Sequence, residues 1–146
     1  MTLIEQFWNE FKAAEGLKDT KYKEAFQFGT EADRLSGLVV EGEKTATCSA
    51  YELYEIDNEA VPEKGDYSIV LDSTDEPVAV IQTESIEIIR MNEVSEDFAL
   101  SEGEGDYEHW WNAHVTFFTE ELKTYDRTFS PDMFLVCERF KKVYPK

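Results

Sequence analysis

The sequence predicts an α+β domain: a small, curled, mixed β-sheet with helices across its openings. Three observations carry this. Apolar residues recur at helical spacing in the first fourteen residues, before Gly42 and around Trp110. Four other stretches, 45–52, 66–72, 77–91 and 133–143, read as strands. The third of these is long, and its alternation breaks at Gln82-Thr83-Glu84-Ser85. A strand so interrupted bends or carries a bulge, as a sheet does when it curls toward a barrel.

The elements follow in order. Thr2-x-x-Glu5 has the form of a capping box, and Leu3, Ile4, Phe7, Trp8 and Phe11 fall on one helical face, so 2–14 is an amphipathic helix. Residues 15–29 read as polar and irregular. Thr30-x-x-Asp33 starts a second helix, which Gly42 stops. Pro62, Gly65 and Asp66 turn the chain into the second strand, and Thr74-Asp75-Glu76-Pro77 joins the second and third as a hairpin. Val94 to Glu102 and Asp106 to about Tyr125 are two further helices, separated by Gly103 and Gly105. No repeat, linker or low-complexity tract interrupts residues 1–146, which form one domain.

The chain has 146 residues, enough to bury a core without disulfide or metal staples. Its formal net charge is −18, from 32 acidic and 14 basic residues. That opposes non-specific binding to nucleic acid or to an anionic membrane, both of which need a basic footprint. The balance still permits a local pocket for one nucleotide. Two cysteines, Cys48 and Cys137, make no disulfide framework and suit a reducing cytoplasm. The N-terminus lacks the basic and apolar regions of a signal peptide, and no run is long enough to span a bilayer, so a soluble cytoplasmic protein is expected.

Gly42-Glu43-Lys44-Thr45-Ala46-Thr47 carries the chemistry. Gly42 lets the chain turn from helix to strand, which presents a lysine and, three residues on, a hydroxyl. Lysine beside threonine is a base–nucleophile pair in form. Residues three apart on a straight strand face opposite ways, so Lys44 and Thr47 converge only if Lys44 is still in the turn. The plain alternative is a solvated cation at a helix C-terminus, followed by an ordinary strand residue.

The ordered set of segments resembles the ASCH family, nearly end to end. Phe26-Gln27-Phe28-Gly29 looks like its early Phe-Gly segment, and Leu38 to Thr47 like its glycine-x-lysine-x-x-threonine signature after an apolar helix. Phe98 to Asp106 resembles its acidic connection between helices. Trp110-x-x-x-His114 with Phe117-Phe118 resembles the next helix, and Leu135 to Phe140 the closing strand. The resemblance implies a PUA-like curled mixed β-barrel flanked by helices. Such domains are associated with RNA, and some small members hydrolyse the amide of N(4)-acetylcytidine with lysine, threonine and glutamate. Carried over, these are Lys44, Thr47 and, aligning Ala99 with the family's alanine, Glu102. Threonine would attack, lysine would take its proton if burial or a nearby cation lowers its pKa, and the glutamate would protonate the departing amine if its own pKa is raised.

Each assignment has a competitor. Glu102 lies among Glu96, Asp97, Glu104, Asp106 and Glu108, and such a run is ordinarily a solvated face. Glu84, which interrupts an apolar strand, is the second carboxylate to face Lys44; otherwise it marks a bulge or pairs with Arg90. Gly42 and Trp110 join Glu84 as substrate-binding candidates, Trp110 by stacking a base, although aromatics at helical spacing are usually core. His109 and His114 diverge around their helix, and His114 packs half-buried beside Trp110. Cys48 faces away from Thr47 into the core. No metal or cofactor is expected, since neither cysteine has zinc spacing and 102–108 lacks calcium-loop spacing. The partner is then a small nucleoside or a short RNA. Three functions share the cleft: amide hydrolysis, binding of RNA or a modified nucleotide, and ribonuclease action. The sequence sets no oligomeric state.

Overall fold

A computed structural model describes residues 1–29 and 31–146. The Thr30 capping position therefore lies outside the described residues. Helix α1 spans Leu3–Glu15, and its capping box forms: Glu5 N–H donates to Thr2 Oγ1 and Thr2 N–H to a Glu5 carboxylate oxygen. Helix α2 is Ala32–Glu41 and ends at Gly42, which takes the left-handed conformation at φ 82°. Among the described residues, Asp33 makes no capping bond within its own helix. It accepts from Ser73 instead, tying α2 to the β3–β4 hairpin described next.

Five strands form one sheet: β1 Glu24–Gln27, β2 Ala46–Ala50, β3 Tyr67–Leu71, β4 Pro77–Arg90 and β5 Phe134–Tyr144. Their order is β1-β3-β4-β5-β2. Only β1–β3 is parallel; the other pairings are antiparallel. The sheet is a mixed, curled half-barrel with β1 and β2 at its edges. The bend in β4 falls where the polar run lies, with register shifts against β5 at Val80/Ile81 and at Thr83/Ser85. Glu84 is the extra residue of the second shift, exposed and remote from Lys44, so it is a bulge residue and no site carboxylate. It does not pair with Arg90, which faces Glu93 and Asp132.

Two elements differ from expectation. β1 lies inside the stretch read as irregular. The run from 45 to 52 turns into helix α3, Tyr51–Ile56, rather than continuing as strand. Helices α4, Glu96–Ser101, and α5, Tyr107–Lys123, follow β4, capped by the side chains of Ser95 and Asp106.

Alternation along β3 and β4 splits the core. Ile69, Leu71 and Val80 point to α1, against Trp8 and Phe11. Val70, Ala79 and Ile81 point to the concave face, where Leu35 and Val39 of α2 pack with Phe140. A third cluster joins α4 and α5 to β2 and the start of β5, through Phe98, Trp110, Phe118 and Leu135. The α2–β2 turn lies between these last two clusters, and the site is built there. Among the described residues, no helix is long and apolar enough to cross a membrane.

Candidate functional site

The left-handed Gly42 reverses the chain after α2, and the N–H groups of Glu43 and Lys44 both return to Leu38 O. Lys44 therefore sits in the turn, before β2 begins at Ala46, which is the condition for it to share a face with Thr47. The turn is fixed from outside: Thr45 N–H donates to Ser101 O at 2.8 Å, and Phe140 N–H donates to Thr45 O at 2.9 Å. Gly103, at φ 75°, lets the end of α4 press against the turn, since a Cβ there would stand 3.0 Å from Glu43 O.

Lys44 is not a solvated cation. It is 2% exposed. Its Nζ donates to Ala46 O at 2.9 Å, to Glu102 Oε1 at 3.1 Å and to Glu102 O at 3.4 Å. Three acceptors for three hydrogens describe an ammonium. Glu104 adds a carboxylate at 3.8 Å, and the Phe28 ring lies beneath at 5.1 Å.

Glu102, the residue after α4, is 1% exposed. Its Oε1 takes Lys44. Its Oε2 takes the Trp110 indole N–H at 2.6 Å and the Cys48 thiol at 3.3 Å, with His114 Nε2 at 3.4 Å. Burial alone would raise this carboxyl, but Lys44, His114 and Trp110 outweigh it and bring its pKa down to about 2. A proton donor to a leaving amine would need the reverse shift; Glu102 is instead ionised and paired with Lys44. The run of acids around it is solvated in part, yet Glu102 itself turns inward.

The elements converge on one cleft of about 580 Å³, counting its open mouth. Lys44, Thr47, Glu102, Phe28, His114 and Phe117 line it. Among the described residues, the Thr47 hydroxyl makes no side-chain hydrogen bond. Cys48 lines the cleft too, contrary to the expectation that it faces away. β2 is an edge strand bonded only to β5, and the cleft wraps around that edge. Burial first, then the Glu102 charge, pushes the Cys48 thiol well up, so it stays protonated and acts as a donor.

Two other candidates have different places. Gly42 is exposed and outside the cleft, so it shapes the turn and does not meet a ligand. Trp110 is fully buried and stacks on His114 at 4.6 Å between ring centres, which leaves no face for a base. It holds Glu102 instead. His114 is the residue sequence reasoning placed but left idle. It packs beside Trp110 as expected, and it also reaches Glu102. Its four-residue spacing from Trp110, which puts both on one helix face, was the available signal.

Cys48, Glu102 and His114 offer ligand atoms within 4.8 Å of one another. Their lone pairs are not disposed for a metal. Oε2 already receives an indole N–H, and the Lys44 ammonium adjoins the same carboxylate. The donor set does not fit a metal centre.

A model of the ASCH domain matches residues 24–144. The crystal structure of an ASCH domain from Lactobacillus crispatus JV V101 is 32% identical, with a TM-score of 0.91 over 98% of this chain and 95% of that one. A crystal structure of a protein from Enterococcus faecalis V583 is 41% identical, with a TM-score of 0.90 over 97% and 88%. No curated protein of described function matches.

Proposed function

The chain belongs to the ASCH domain family, and on that premise we propose that it is a small cytoplasmic amidohydrolase acting on an acylated nucleoside of the N(4)-acetylcytidine kind. The observation that carries this is the buried Lys44–Glu102 pair lining one cleft with Thr47. The cleft wall offers a half-buried aromatic, Phe117, for a base. The −18 charge favours a neutral nucleoside over a polyphosphate strand.

Thr47 Oγ1 attacks the acyl carbon and forms an ester, splitting a hard displacement into two easier ones. The Lys44 ammonium must first release one of its three hydrogens; as the free amine it takes the threonine proton, and returns it when the ester is cleaved by water. Glu102 holds the Lys44 amine in place through Oε1 and keeps its own charge throughout. Burial of the group leaves the cleft low in dielectric, which strengthens each of these interactions.

Incubation of the protein with a panel of acylated nucleosides and short RNAs, read by mass spectrometry, tests this. Deacylated nucleoside with intact RNA is the expected result. RNA cleavage with untouched acyl nucleosides would establish the ribonuclease reading in its place, and tight RNA binding without products the binding reading.

A further inference from the structure

Amide cleavage needs a proton for the departing nitrogen, and Glu102 is not built to give one. We infer that His114 is the general acid of this cleft, an imidazolium held between two acceptors with its Nε2 proton toward the site. This rests on the hydrolase reading above and deepens it.

The geometry fixes the proton count. His114 Nδ1 lies 2.7 Å from Trp110 O, a carbonyl that can only accept, so Nδ1 carries a hydrogen. Nε2 lies 3.4 Å from Glu102 Oε2, which also takes the Trp110 N–H and the Cys48 thiol as an acceptor. A neutral ring would aim a lone pair at that oxygen. That repulsion favours the form with both nitrogens protonated. The 3.4 Å separation is long for a charge-assisted bond, so the proton is held without being locked. His114 also lines the cleft, as Trp110 does not.

The charged groups around the ring agree. Glu102 faces it from the end of α4 and Glu104 from the α4–α5 connection. Lys44 and Cys48 face the same carboxylate from the turn and from β2. Burial lowers the imidazolium's pKa, but the Glu102 bond and charge, with Glu104, carry it above its usual value. The carboxylates thus favour the charged ring, the form a general acid needs.

The protons balance across two steps. In the first, Thr47 Oγ1 bonds the acyl carbon and its proton goes to neutral Lys44. The C–N bond breaks, its electron pair stays on nitrogen, and the His114 Nε2 proton joins it. In the second, water attacks the ester and gives its proton to neutral His114. The C–Oγ1 bond breaks, and Thr47 recovers its proton from Lys44. Free carboxylic acid leaves and the enzyme is restored.

Two measurements test the assignment. Nitrogen NMR of the imidazole should report both ring nitrogens of His114 protonated at pH 7, and loss of one in Glu102→Gln. His114→Asn keeps a side-chain N–H donor. It should lose ~100-fold or more in the first-turnover rate of nucleoside release from the acyl nucleoside, as expected for lost acid catalysis, and stay within about threefold in the first-turnover burst from an acetate ester whose leaving group needs no proton, whereas steady turnover of both falls because water has lost its base. His114→Gln is the second variant if His114→Asn fails to fold. An equal first-turnover loss on amide and ester, or a singly protonated His114 in an active wild type, overturns this inference and spares the hydrolase reading. A wild type inactive on every acyl nucleoside overturns that reading and the acid role together.

Discussion

Replacing Glu102 by glutamine removes one charge from the most crowded point of the site and nearly nothing else. The carboxylate has four donors: Lys44 on Oε1, and Trp110, Cys48 and His114 on Oε2. A glutamine turns its NH₂ against one set or the other, and the Lys44 ammonium keeps only carbonyls and the distant Glu104. The magnitude comes from the shift of the carboxyl from its ordinary 4.5 to about 2. At ~1.4 kcal/mol per unit this is about 3 kcal/mol of stability. A depressed carboxyl contributes fully above its unfolded pKa and loses the contribution as pH falls through its folded value. At pH 6 the whole is present; at pH 3 roughly half is left. His114, raised, contributes in the opposite sense. Its share is present below ~6.5 and fades as pH rises through its folded value, so pH 6 and 3 are the right limits. Urea denaturation of wild type and Glu102→Gln should show a gap of about 3 kcal/mol at pH 6 that narrows by roughly half at pH 3. Equal stabilities at pH 6, or a gap constant down to pH 3, would refute the ion cluster. Lys44→Met provides a second test of it: breaking a buried pair costs ~3–5 kcal/mol, and the loss should appear in its denaturation midpoint.

Other outcomes follow from the same geometry. Thr47→Ser should retain activity and Thr47→Val should not, in initial-rate assays, because the hydroxyl is the attacking group. Lys44→Ala should abolish turnover and also lower the melting temperature, since this lysine is buried and its removal leaves Glu102 short of a partner. Gly103→Ala should cost ~2 kcal/mol or more in chemical denaturation, because its φ of 75° disfavours a side chain and the new Cβ meets Glu43 O at 3.0 Å. Cys48 and Cys137 should resist iodoacetamide at pH 8 until the protein is denatured. Burial pushes the first thiol well up and the second to about 12.

The sequence made the long elements legible where local chemistry was strong. The Thr2 capping box, the Gly42 stop and the polar break in 77–91 each state their geometry in a few residues. β1 escaped because four residues, half of them exposed at a sheet edge, show no alternation. α3 escaped because Tyr51-Glu52-Leu53-Tyr54 continues the β-rich character of the strand before it. At the site, the position of Lys44 in the turn followed from Gly42. Its burial did not, because the partner that makes burial tolerable lies 58 residues away. Glu102 was legible only through the family likeness, since nothing local separates it from the acids around it. Its low pKa was not legible at all: it depends on Lys44, His114 and Trp110 arriving from two other segments. Glu84 shows the converse. A carboxylate that breaks an apolar strand is equally a bulge residue, and here the bulge won.

The most direct test of the account is to find the acyl group in transit. Wild-type protein mixed with excess N(4)-acetylcytidine, quenched in acid within the first turnovers and digested, should yield an acetylated peptide with the modification on Thr47, absent in Thr47→Val. Steady release of cytidine with no acylated peptide, or an acetyl group carried by Cys48 instead, would contradict it.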